Sequence, residues 1–131
     1  MEFGDLLAVY AVRVAEALKL LDEFLDGGNV MLLHNAAFLL TELGSETYAA
    51  LAVHGQAILA ALSIDAGLRL KERAIEIERR GLRSMDIEYL TDVRDILGRM
   101  VAAIESGEYE RSYYEMVNKR GKSEGRELYP V

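Results

Sequence analysis

The sequence predicts an all-α protein, an antiparallel helical bundle of four main helices with a short C-terminal fifth. Three observations lead there. The only proline is Pro130, so no internal residue forbids helical backbone. Apolar residues recur three and four positions apart along most of the chain, the repeat of a helix with one buried face. Glycines separate these periodic stretches at Gly27-Gly28, Gly44, Gly81 and Gly107, where helices can end.

The first helix is expected from Asp5, a good N-cap, to Gly27. Leu7, Tyr10, Val14, Ala17, Leu21 and Phe24 lie on its buried side, opposite Arg13, Glu16, Lys19 and Glu23. A second should cover 30–43 and stop at Gly44, with Ser45 capping a third that starts near Glu46. The third passes through the uncharged stretch 47–64, changes character after Gly67, and continues as a charged helix to Gly81. Thr47, His54, Gly55, Gln56 and Ser63 make 47–64 a poor membrane span and a better bundle centre or subunit interface. Ser84 with Asp86 and Glu88 opens a fourth helix, whose stripe is Ile87, Leu90, Val93, Leu97, Val101 and Ile104. A short helix over 108–119 follows, and 120–131 reads as a mobile tail of this single 1–131 domain.

At 131 residues and 51% apolar composition the chain is the size of one domain with one core. The absence of cysteine excludes disulfides, thiolate metal sites and a cysteine nucleophile. Few amides and no cysteine is a composition seen in thermostable proteins. Met1-Glu2-Phe3-Gly4-Asp5 lacks a basic leader, which points to a cytoplasmic protein. A net charge of −7 disfavours nucleic acid and anionic membrane as partners. That charge is uneven: residues 1–65 hold nine carboxylates against only Arg13 and Lys19, whereas 66–131 are balanced. A nearly neutral stretch from Gly27 to Leu68 has to be covered. Two such helices exceed what one small core needs, which predicts a homodimer or tetramer with Leu51, Ile58 and Leu62 at its interface.

His34 and His54 each sit in an apolar helix, where a histidine is usually a core residue. The basic run at 69–83 makes Arg69, Arg73 and Arg80 candidates for phosphate or nucleotide contact, set among glutamates that also suit salt bridges. Asp22, Glu23 and Asp26 end the first helix, and Glu88, Asp92 and Asp95 share one face of the fourth. Two such helices facing each other could hold Mg²⁺. Asp22-Glu23-x-x-Asp26 and Asp92-x-x-Asp95 resemble the paired acidic segments of all-α nucleotide pyrophosphohydrolases, which makes a Mg²⁺-dependent enzyme of that kind the alternative reading. No phosphate loop, nucleophile elbow or zinc-protease motif occurs.

Tyr48-Ala-Ala-Leu-Ala-Val-His54-Gly-Gln56-Ala-Ile-Leu-Ala-Ala-Leu62 resembles the second helix of HEPN domains, small helical bundles that pair with nucleotidyltransferases or act as ribonucleases. The likeness covers about 30–75. Leu59 and Ser63 stand where that family usually has Glu and Lys, and the Arg that precedes the histidine of the ribonuclease members is missing. The resemblance therefore implies a non-catalytic dimer that binds a nucleotide or a partner protein such as a nucleotidyltransferase, with no cofactor.

Overall fold

Among the described residues five helices make up the bundle: α1 (Phe3–Leu25), α2 (Val30–Val53), α3 (Ala57–Arg80), α4 (Ser84–Glu105) and α5 (Glu108–Leu128). The computed structural model describes residues 1–128, with side chains as far as Arg120, and no strand occurs among them. α1 packs against α2 and α4, α2 lies along α3, and α5 packs on α4. The core is drawn from all of the first four helices, with Tyr10, Leu33, Leu51, Leu70 and Leu90 fully enclosed.

Several boundaries differ from the expected ones. α1 starts at Phe3 rather than Asp5; Asp5 instead occupies the first turn, where a carboxylate favours the helix dipole. α2 does not end at Gly44 but continues to Val53. The break between the second and third helices falls at His54-Gly55-Gln56, where Gly55 adopts φ 68°. That left-handed conformation is accessible to glycine at little cost, so the glycine that ends the helix is Gly55. α3 then runs unbroken from Ala57 through Gly67 to Arg80 and stops at Gly81, as expected. α5 reaches Leu128, beyond the expected end at 119; of the anticipated tail 120–131, residues 129–131 lie outside the described residues.

Gly44 and Gly67 serve packing instead. A Cβ on Gly44 would lie 2.5 Å from the Ala60 carbonyl oxygen, and one on Gly67 would lie 2.7 Å from the Ala37 carbonyl oxygen and 2.9 Å from the Thr41 nitrogen. The α2 and α3 backbones thus approach too closely for any larger residue at either crossing point. The seam is completed by the buried Ser63 hydroxyl, which donates to the Leu40 carbonyl, and by His34 of α2 against Glu78 of α3.

Leu51 is fully buried within the single chain, so it belongs to the core and not to a subunit interface. Gly67→Ala is expected to destabilise the fold by about 1–3 kcal/mol, because backbone has to move to admit the methyl. Gly98→Ala in α4, where the new Cβ would meet only the Arg94 guanidinium at 3.5 Å, should be neutral or stabilising by up to about 1 kcal/mol. Urea denaturation midpoints of the two variants test the contrast.

Candidate functional site

Because α3 is held tightly to α2, and α4 to α1, the seam between α3 and α4 stays largely open. At their connecting turn the two helices are joined by a buried carboxylate. Asp86, in the first turn of α4, is completely enclosed. It accepts from both Nη atoms of Arg80 at 2.8 and 2.9 Å, from Arg73 Nη1 at 3.0 Å and from the Arg83 backbone nitrogen at 2.9 Å. Arg73 and Arg80 stand seven residues apart on α3, which puts both guanidinium groups on the face turned to α4. The Arg73 guanidinium also stacks 4.3 Å above the Tyr89 ring. Asp86, not Ser84, secures the start of α4, since it reaches back to the Arg83 N–H. The Arg80 guanidinium, with Arg83 N–H and Arg73 behind it, holds the Asp86 carboxyl far below the usual carboxylate range despite its burial.

Away from the turn the helices part, leaving a groove of about 400 Å³ lined by Leu62, Ala66, Val93, Ile96, Leu97 and Met100. Asp65 and Arg69 on the α3 wall and Tyr89 and Asp92 on the α4 wall make its polar edges. Tyr10 of α1 ties the two walls together: its hydroxyl donates to the Leu59 carbonyl of α3 at 2.7 Å and lies 4.0 Å from the Met100 sulfur of α4. Burial pushes the Tyr10 phenol pKa upward, so it remains a neutral donor across the ordinary pH range.

The predicted phosphate ligands are mostly engaged. Arg73 and Arg80 are turned onto Asp86, and Arg69 pairs with Asp65 at 2.8 Å. The cavity of about 380 Å³ that these three arginines share with Met85 and Tyr89 is also walled by Glu72 and Glu76, which oppose an anion. The two acidic groups proposed for Mg²⁺ do lie on packed helices, α1 and α4. Arg94 stands between them, bonded to Asp22 at 2.7 Å and 3.8 Å from Asp95. Among the described residues no three His, Asp or Glu side chains converge in a metal-holding group. Asp22, Glu23 and Asp26 therefore do not join Glu88, Asp92 and Asp95 in one site. His54 packs 5.2 Å from the Phe3 ring at the end of the bundle. The hydroxyls of Thr41, Thr47 and Ser63 are bonded to backbone carbonyls, not to either histidine.

A second surface lies on the outside of the α2–α3 pair. Met31, Phe38, Ser45 and Ala52 recur every seven residues on the exposed side of α2, as do Ala61, Leu68 and Ile75 on α3. Phe38 and Leu68 directly follow Ala37 and Gly67, which approach each other at the seam. Phe38 is 66% exposed and Leu68 and Ile75 about half. Of the expected interface residues, Ile58 is exposed, while Leu62 turns toward the α3–α4 groove.

Comparison with known proteins finds no matching family model, no matching curated protein and no matching solved structure.

A depressed carboxyl pKa in the folded state adds stability at high pH. Asp86 contributes fully above the ordinary carboxyl range of about pH 4, and its contribution fades as pH falls through that range toward its own lower value. Asp86→Asn should therefore lower the unfolding free energy at neutral pH by about 3 kcal/mol and flatten the acid limb of the stability curve. Chemical denaturation of both proteins at a series of pH values measures this.

Proposed function

We propose that the protein is a non-enzymatic helical module that works as a homo-oligomer, a dimer or tetramer, and binds partner proteins. The observation that carries this reading is the pair of seven-residue apolar stripes on the outer α2–α3 face. A monomer requires only the inner sides of these helices to be apolar, yet each also carries one apolar stripe on its outer side, set among charged positions such as Glu46 and Lys71 and repeating every seven residues as in helices that pack against other helices. Ser45, Ala52 and Ala61 within the stripes are small enough for close approach of a second copy. In this reading the bundle is antiparallel, which the pairing of Gly44 with Ala60 and of Gly67 with Ala37 supports.

Partner-protein binding is favoured over nucleotide binding because Arg73 and Arg80 are committed to Asp86. The likeness of 48–62 to a HEPN helix suits such a module and suggests a nucleotidyltransferase-like protein as one kind of partner. The helix break at 54–56 divides that stretch between α2 and α3. Work in the cytoplasm belongs to the same reading. Among the described residues no helix is long and apolar enough to cross a membrane.

Sedimentation equilibrium at micromolar concentration is expected to show a stable oligomer. Phe38→Glu combined with Leu68→Glu should yield a monomer with an unchanged far-UV circular dichroism spectrum, since both positions are exposed in the single chain. A wild-type monomer at that concentration would sink the proposal.

A further inference from the structure

The α3–α4 groove lies apart from the outer α2–α3 face, and nothing in the bundle's own packing requires it. A helix pair that opens along its length exposes a trough into which the side chains of one further helix can be laid. The α4 wall from Tyr89 to Met100 rises about 16 Å and the α3 wall from Leu62 to Arg69 about 10 Å, enough for anchors at i, i+3 or i+4, and i+7 of an incoming helix. The interior is aliphatic apart from Met100, and Ile96 at its lip is 65% exposed.

The edges decide what kind of helix fits. Asp65 and Asp92 face the groove from opposite walls, against a single guanidinium, Arg69, which is spent on Asp65. Asp92 and Glu88 have no ion-pair partner among the described residues, whereas Asp95 lies 3.8 Å from Arg94 and Arg99 stands one turn beyond it, so the free negative charge of this side of α4 sits at its Glu88–Asp92 end. The net charge of −7 adds attraction for cations at long range.

We infer that the groove between α3 and α4 is a docking site for an amphipathic helix of a partner protein, one whose apolar stripe is flanked by Lys or Arg. The apolar stripe fills the space between Leu62 and Ile96, and the basic flank meets the unpaired Asp92, with Asp65 on the opposite wall already neutralised by Arg69. This assigns a role to the acidic face of α4 that needs no metal ion. It is independent of the oligomer reading, because none of the groove residues belongs to the outer stripes.

The test uses the full chain and two fluorescently labelled helical peptides of about 18 residues. Both carry Leu at i, i+3 and i+7, one with Lys and the other with Glu at the flanking positions. Fluorescence anisotropy should show the Lys peptide binding at least about tenfold more tightly than the Glu peptide, with a gap that narrows as salt is added. Ile96→Glu should abolish binding of the Lys peptide, and Asp92→Lys with Asp65→Lys should transfer the preference to the Glu peptide. Circular dichroism of each variant checks that the fold is retained. If neither peptide binds, if both bind equally, or if Ile96→Glu and the double reversal leave binding unchanged, the inference is wrong. Binding lost on Phe38→Glu with Leu68→Glu but kept on Ile96→Glu would place the peptide on the outer face and would also overturn it.

Discussion

The structure depends most on how closely α2 and α3 approach. At Gly44 and Gly67 there is no room for even a methyl group between one helix and the backbone of the other. Contacts of this kind do not adjust gradually: a side chain at either crossing would push the helices apart along their whole length. Two features follow from the close seam. Phe38 and Leu68, each next in sequence to a residue of the seam, are left exposed on the outside. At the same time α3 is drawn toward α2 and away from α4, whose main packing partner is α1. The groove is the remaining space, bridged from beneath by the Tyr10 hydroxyl, and the two helices are tied together beyond it by Asp86.

The Asp86 cluster works on a different principle. An enclosed carboxylate is costly unless its oxygens are fully paired, and here two guanidinium groups and a backbone N–H supply four donors. Such a cluster is a poor way to add stability compared with apolar packing, but it is directional. Both arginines come from the last turns of α3 and the carboxylate from the first turn of α4, so the contacts form in one arrangement of the α3–α4 turn. Fixing the two helices only at that end allows the rest of the seam to stay apart. The same geometry removes Arg73 and Arg80, two of the three candidate phosphate ligands in the basic run at 69–83.

Helix content was legible from the sequence because it rests on local rules: periodicity, the absence of internal proline and the glycines near helix ends. The start of α2, the end of α3 at Gly81 and the course of α4 followed from those rules. The rules could not separate a glycine that ends a helix from one that lets two helices touch. Gly44 and Gly55 look alike locally, and only the position of Ala60 and Ile64 against Gly44 shows which is which. Leu51 and Ile58 were equally apolar in sequence, yet their opposite burial follows from the turn at 54–56, which resets the helical phase between them. Part of the Asp86 cluster could have been read: Arg73 and Arg80 share a face, and Asp86 lies just past the glycine that ends their helix. The groove could not, because an open seam is a property of how four helices divide their contacts.

The nearly neutral stretch from Gly27 to Leu68 bears on what those contacts leave over. Burial inside the bundle explains the neutrality of Leu33, Ala37, Leu40, Leu51 and Ala60, all of which are enclosed. It does not explain Met31, Phe38, Ser45 and Ala52, which lie on the side of α2 that faces solvent in the single chain. In α4 the outward positions are mixed: Glu88, Asp92, Asp95 and Arg99 stand beside the exposed Met85, Ile87 and Ile96. The two helices are similar in length and both line the core, so the core cannot account for the difference. Under the proposed reading the apolar stripe of α2 meets a second apolar surface, whereas the inferred occupant of the groove beside α4 is a helix that is itself amphipathic and basic. The two proposals thus rest on different faces, and each can fail without the other.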